Sequence, residues 1–406
     1  MKIRNRFRTP ARHGKILLMT AILLPALMAF MALGVDLGII AASKAQLQTV
    51  ADAASLAGAM KLADENRVRG VGTTNQSSSV LPETSASVAM ARSVGQANLV
   101  LNSAPVIHDN SSNAADGDVV VGYFNPTTHV WAAPPLSSPA LSNAVLVNAS
   151  RTSARGSSVP GFFSRVWTYA GTDVKAQSIA VAQNYPINGF KAGSTQNAPM
   201  IPITLDYSTY QAMMNRTTTD NYSYDSATNT VSNGPDNIYE SHLYPNDTGS
   251  PGSWGTLVIG TPNNGTSDLV SQILYGITPQ QIASVPGGSL QLQPSTTAGV
   301  PPSITFNGNP GISAGMSNAL TSIIGKPVVV PIYDVTGLNG ANAFFRIVAL
   351  QTCRIVDVNF SGNPKYVVIQ PCLLRDSTAI ANTNPATWPT GWSWQSGGVV
   401  RLHLAK

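Results

Sequence analysis

Ile16 to Val35 reads ILLMTAILLPALMAFMALGV, twenty residues without a charge. At a rise of about 1.5 Å per residue, a helix of this length spans about 30 Å, the thickness of a bilayer's hydrocarbon core. Ten of the twenty are Leu, Ile, Phe or Val. Together they favour insertion by roughly 3 to 6 kcal/mol, before Pro25, Gly34 and Thr20 subtract. The remaining sequence is therefore read by the side of a membrane on which it lies.

The charge distribution supplies the orientation. Residues 1–15 hold Lys2, Arg4, Arg6, Arg8, Arg12 and Lys15 and no acid, so the net +5 of the chain comes from this tail. The rest carries 18 bases against 19 acids. A basic chain would ordinarily suggest nucleic acid as a partner, but a juxtamembrane cluster is what the positive-inside rule requires. Nucleic acid is accordingly excluded, the N-terminus is expected in the cytoplasm, and the bulk of the chain on the far side of a bacterial inner membrane. A secretory signal peptide has a shorter apolar region of about 7–15 residues, and the first A-x-A triplet, Ala51-Asp52-Ala53, lies well downstream. An uncleaved single-pass anchor is expected.

Beyond Asp36, residues 39–63 contain no proline and many strong helix formers, so the spanning helix is expected to run on into an Ala-rich stem. Its small residues, Ala51, Ala54, Ser55 and Gly58, form a stripe that lets another helix approach closely. That helix could belong to the chain's own domain or to a partner in an assembly.

Arg12-His13-Gly14, the apolar run with Pro25, Val35-Asp36-Leu37-Gly38, and the segment from Leu47 to Ala59 (LQTVADAASLAGA) resemble the N-terminus of TadG-like proteins of the Flp (tight adherence) pilus assembly system. The resemblance implies a bitopic envelope protein, related to minor pilins, that works with pilus or pseudopilin assembly proteins. It departs from prepilins in one respect. Prepilin processing uses a glycine followed by an apolar segment with Glu at its fifth position, and after Gly14 that position is Met19. The anchor is therefore expected to be retained.

The expected organisation is α+β: a basic tail (1–15), a transmembrane helix (16–35), a stem helix (36–63) and two β-rich extracytoplasmic lobes. The first lobe, 64–184, begins with a polar connection over 64–83. A helix over 84–100, a hairpin from 119 to 131, a strand at 144–150, a short helix over 160–169 with Phe162 and Phe163 inward, and a strand at 174–183 follow. Its order, with NAV.V and VPGFFSRV, also resembles the periplasmic part of TadG-like proteins. Residues 185–200 read as a linker and 201–406 as a β-rich C-terminal domain with strands at 255–259, 304–306, 328–333, 344–360, 366–374 and 399–404.

Few patterns suggest chemistry. Ser361-Gly362-Asn363-Pro364 is a turn between two apolar runs, and a hairpin centred there sets Cys353 opposite Cys372 in a non-hydrogen-bonded pair, with Cα atoms about 4.5 Å apart. That separation permits a disulfide at the short end of its range, and the exported compartment would allow it. Two buried thiols are the alternative, and a bulge would shift the register. Gly311-Ile312-Ser313-Ala314-Gly315 matches a nucleophile elbow, with His403 the only later histidine. The turn Asn307–Pro310 separates it from a strand, however, and Ser313 as a helix cap explains the same residues. Gly260–Gly265 resembles a phosphate loop but has Thr266 where the lysine belongs. Asp206-x-Ser208 resembles the start of a metal-dependent adhesion motif, with Tyr210 in place of its second serine. The five histidines are scattered, so zinc has no support. Tyr222, Tyr224, Tyr239, Tyr244 and Trp254 either form a surface patch or pin long loops to a sheet. No catalytic residue, cofactor or small-molecule substrate is assigned. The leading reading is a non-enzymatic envelope protein of pilus assembly or surface attachment; a surface adhesin or ligand-binding module that shares only the anchor is the alternative, and a serine hydrolase comes third.

Overall fold

A computed structural model of the chain describes residues 13–70, 82–136, 141–163, 171–191, 193, 195–245, 255–261, 264–285, 287–297, 300–337, 343–361 and 363–405. One helix dominates it. α1, His13–Leu62, runs for 50 residues without a break, Pro25 included, and is about 75 Å long. Its first half is apolar and exposed; its second half is Ala-rich and buried on one side. Asp64 then starts a single turn, α2 (Glu65–Val68), by accepting the Asn66 N–H at 2.9 Å. α3, Pro82–Ala97, returns alongside α1.

The strands, in chain order, are β1 (Val119–Phe124), β2 (Trp131–Ala132), β3 (Ala144–Arg151), β4 (Val174–Tyr185), β5 (Ile187–Phe190) and β6 (Leu205–Asp206). They continue with β7 (Tyr222–Asp225), β8 (Thr230–Asn233), β9 (Ser241–Tyr244), β10 (Gly255–Leu257), β11 (Leu290–Gln291) and β12 (Ile304–Pro310). The last six are β13 (Pro327–Gly337), β14 (Ala343–Asn359), β15 (Tyr366–Pro371), β16 (Leu373–Leu374), β17 (Ala379–Ala381) and β18 (Gly398–Ala405). Among the described residues the short helices α4 (Tyr207–Met214), α5 (Thr266–Tyr275), α6 (Pro279–Ser284) and α7 (Ser317–Ser322) accompany them. The first sheet has the order β16-β18-β4-β3-β1-β2, and α1 and α3 cover one face of it through Ala54, Leu62, Val88, Ala91, Val145 and Ala180. The second sheet has ten strands and is built around β13 and β14. One of its cores gathers about Phe190, Leu257 and Phe345, and the other about Tyr210, Leu320 and Ile355.

The chain is thus α+β with a long apolar helix and a β-rich C-terminal region, but the division at 185–200 differs from expectation. Ile187, Phe190, Ala198 and Met200 are all buried. β5 pairs with β11, β14 and β17, and Met200 bridges Val329. Apolar residues are sparse in this stretch, yet these four belong to the core of the second sheet. β18 also leaves the C-terminal region and pairs with β4 over seven residues, Val399↔Tyr185 to Ala405↔Ile179, completing the first sheet. Two smaller differences follow the same logic. The expected connection over 64–83 contains α2. Phe162 and Phe163, expected inward, are exposed in a bend, and the rest of that expected helix, 164–169, lies outside the described residues.

Candidate functional site

The most distinctive features of the fold concentrate along α1 and at its C-terminal end. From Ile16 to Leu37 its large apolar side chains stand open. The most apolar eighteen-residue window has a mean hydropathy of 2.5, and none of it is buried. A soluble protein rarely exposes so large a contiguous apolar surface. This helix is long and apolar enough to cross a membrane.

Past Asp36 the exposed side narrows and the small-residue stripe meets its partner. Ala51, Ala54 and Ser55 are fully buried. Gly58 lies so close to α3 that a Cβ there would sit 3.0 Å from Ala91 Cβ and 3.1 Å from both Ser87 O and Val145 Cγ1. Gly95 on α3 answers it, with Ala54 Cβ 3.4 Å from the position a Cβ would take. Small residues on both helices let the backbones approach. Ser87 Oγ then donates to Gly58 O at 2.9 Å, and the Ser55 and Ser178 hydroxyls lie 3.1 Å apart. The stripe therefore packs a helix, but that helix is the chain's own α3, with β4 beside it. This face is closed to other proteins.

The end of α1 is fastened by polar groups from both sheets. Arg375, from the segment after β16, donates to Met60 O at 3.1 Å and Ala63 O at 2.7 Å, carbonyls at the C-terminal end of the helix. In α2, Arg67 donates to Ser142 O at 2.6 Å beside β3, with its guanidinium 5.1 Å from the Trp394 ring. Burial pushes Arg67 down to about 10, which leaves it charged at neutral pH. Glu65 accepts from Arg354 Nη2 of β14 at 2.9 Å. Arg354, 1% exposed, also donates to Gly325 O at 2.7 Å and lies 3.4 Å from the centre of the Tyr224 ring. Arg69 reaches the Tyr224 carbonyl and pairs with Asp236 at 3.4 Å. Residues 60–69 thus join the long helix to both sheets. The sequence signal was an unremarkable charged run, DENRVR; what identifies the junction is burial, which needs the fold.

The two cysteines are free and fully buried, so the expected bridge is not formed. The hairpin keeps the expected register near its turn, with Asn359↔Tyr366, Val358↔Val367 and Asp357↔Val368 opposite. A bulge between Ile355 and Asp357 then shifts it by one residue, and Cys353 faces Pro371. Cys372 N–H donates instead to Thr352 O at 3.2 Å. Opposed residues share a face and neighbours alternate, so the two thiols fall on opposite faces of the ladder. Burial raises Cys353 well above the usual thiol range and pushes Cys372 up to about 12, so neither is a reactive thiolate.

The other sequence candidates resolve into structure. Ser313 caps a short 3-10 turn by accepting the Gly315 N–H at 3.2 Å, whereas His403 lies on β18 in the first sheet; the two are not brought together. Asp206 caps α4, accepting the Ser208 and Thr209 N–H groups at 3.0 Å each. The phosphate-like loop falls partly outside the described residues. In its described part, Asn264 Nδ2 donates to Thr256 Oγ1 at 2.7 Å. Among the described residues no group of three or more His, Cys, Asp or Glu is placed to hold a metal ion. The tyrosines pin loops: Tyr222 donates to Asp357 at 2.7 Å, Tyr224 lies under Arg354, Tyr239 meets Arg216, and Tyr244 stacks on Phe360. Trp254 lies outside the described residues. One concave feature stands apart, a cleft of about 420 Å³ lined by Tyr207, Tyr210, Trp388 and Trp392 with Gln351 and Asn382 among its polar groups.

No curated protein and no solved structure matches the chain. The family comparison finds the long helix: residues 14–61, the apolar run and the small-residue stripe together, match the Tad family model, described as "Putative Flp pilus-assembly TadE/G-like".

Proposed function

We propose that this chain is a non-enzymatic, single-pass envelope protein that serves Flp pilus assembly. The observation that carries this reading is the coincidence of the Tad match at 14–61 with one unbroken helix, exposed and apolar in its first half and seated in the chain's own sheet in its second. The first half crosses the inner membrane. The basic tail stays in the cytoplasm, and both sheets lie outside it. The role is mechanical. A continuous helix fixed at residues 60–69 to both sheets passes force or position between bilayer and sheets without a flexible linker. Because α3 and β4 cover the small-residue stripe, pilus assembly proteins must bind other surfaces.

The aromatic cleft favours a second reading, a surface adhesin or ligand-binding module that shares the anchor. Deletion of the gene followed by counts of surface pili and of attached cells separates the two. Loss of pili supports the assembly role. Intact pili with lost attachment supports the adhesin, and normal pili with normal attachment refutes both.

A further inference from the structure

Asp36 is the first charge after the apolar run and stands one residue beyond Val35. Its Oδ1 accepts two backbone N–H groups from one loop, those of Phe162 at 2.6 Å and Phe163 at 3.1 Å. These bonds hold the loop against α1 at the level where its charge-free segment ends. The root of the loop is fixed as well: Val159 is buried and exchanges both backbone hydrogen bonds with Thr172, at 3.0 and 2.9 Å. The two phenyl rings are nevertheless open, 68% and 40% exposed, and meet edge to face with centroids 4.9 Å apart. On α1 beside them, Leu33, Val35 and Leu37 are exposed too.

We infer that Phe162 and Phe163 form a wedge that inserts into the lipid of the leaflet in which α1 ends. This rests on the reading that α1 spans the bilayer. The occupant is lipid because the wedge continues the apolar surface of the helix at its membrane boundary. Two N–H donors on the Asp36 carboxylate spread its charge, and the carboxylate in turn satisfies loop N–H groups that would otherwise be costly near hydrocarbon. A protein held by one helix can tilt and swivel about it. A second contact beside that helix fixes how the sheets face the membrane, and so which surfaces they offer to an assembling filament.

The test uses the full chain in lipid nanodiscs, one copy per disc, carrying a nitroxide at Phe162→Cys, Leu23→Cys or exposed Ala227→Cys; the native cysteines are buried and do not compete. With oxygen as the apolar quencher and a water-soluble nickel chelate as the polar one, the Phe162 label should be reached by oxygen. It should be several-fold less accessible to nickel than the Ala227 label, because an apolar group in the interface sits about 5–10 Å into the headgroup/acyl boundary, away from water. Nickel access at Phe162 equal to that at Ala227, with Leu23 still shielded, overturns the wedge alone. Nickel access at Leu23 overturns the spanning helix and the wedge with it. In the Phe162→Ser/Phe163→Ser chain, which alters only exposed side chains, the Ala227 label should tumble more freely; unchanged motion also counts against the wedge.

Discussion

Removing the Glu65 carboxylate should loosen the junction between the long helix and the second sheet. The Arg354 guanidinium is 2% exposed and the Glu65 side chain 14%, so Glu65→Ala strands a charge that water cannot reach. Breaking a buried pair by removing one partner costs about 3–5 kcal/mol. Partial exposure of Glu65, the Gly325 carbonyl and the Tyr224 ring place this case at the lower end, about 3 kcal/mol, or roughly a hundredfold in the opening equilibrium. Three amides report it directly: Arg67 N–H on Asp64 O, Arg69 N–H on Glu65 O and Gly70 N–H on Arg67 O. Hydrogen exchange on the full chain in nanodiscs should accelerate at these amides by roughly a hundredfold in Glu65→Ala. Glu65→Leu/Arg354→Met, which removes both charges and keeps the volume, should recover most of the protection. Exchange in Glu65→Ala that matches the parent chain would refute the argument that this pair ties α2 to β14.

Three other predictions concern separate parts of the molecule. At Gly58, alanine would gain about 1 kcal/mol of helix propensity but crowd Ala91, Ser87 and Val145; leucine cannot fit and should destabilise by about 3 kcal/mol or more in thermal unfolding, parting α1 from α3. Burial pushes the Glu240 carboxyl from its ordinary 4.5 up to about 7, against the Asn221 and Tyr222 N–H groups that it accepts, with Asp220 and Asp236 adding to the rise. The folded state thus holds a proton that the unfolded state releases, so this contribution is complete below about pH 4.5 and is lost as the pH rises through about 7, up to about 3 kcal/mol in all; melting between pH 5 and 8 should fall more steeply in the parent than in Glu240→Gln, and equal slopes would contradict it. Alkylation of the exported protein, unfolded without reductant, should modify both Cys353 and Cys372; protection of both until reductant is added would show that a bridge forms despite the bulge.

Much of the helical part was legible in the sequence because it is local. Twenty charge-free residues and an Ala-rich continuation without proline dictate α1, and a three-to-four spacing of small apolar residues marks α3. The small-residue stripe reads as a seat for a helix, but nothing local says whether that helix belongs to the same chain; in the fold α3 packs there. β18 shows a related limit: alternation identifies it as a strand, yet its partner, β4, lies more than two hundred residues away in sequence. In the β14–β15 hairpin the turn chemistry set the first three pairs, and one extra residue near Val356 moved the rest. Phe162 and Phe163 read as inward-facing in the sequence, whereas both are exposed in a bend, because apolar type alone does not say which surface a side chain meets. The junction at 60–69 was least legible, since Arg67 and its counterpart Arg354 look like ordinary surface residues until the fold buries them.

In the proposed topology α1 crosses the membrane once and carries both sheets out of the cytoplasm. Single cysteines at Arg4 and Ala227, probed with a membrane-impermeant maleimide on spheroplasts, test it most directly, because the native thiols are buried and stay silent in the folded protein. Ala227→Cys should be labelled on intact spheroplasts and Arg4→Cys only after lysis. Labelling of Arg4→Cys on intact spheroplasts, or of Ala227→Cys only after lysis, would contradict it.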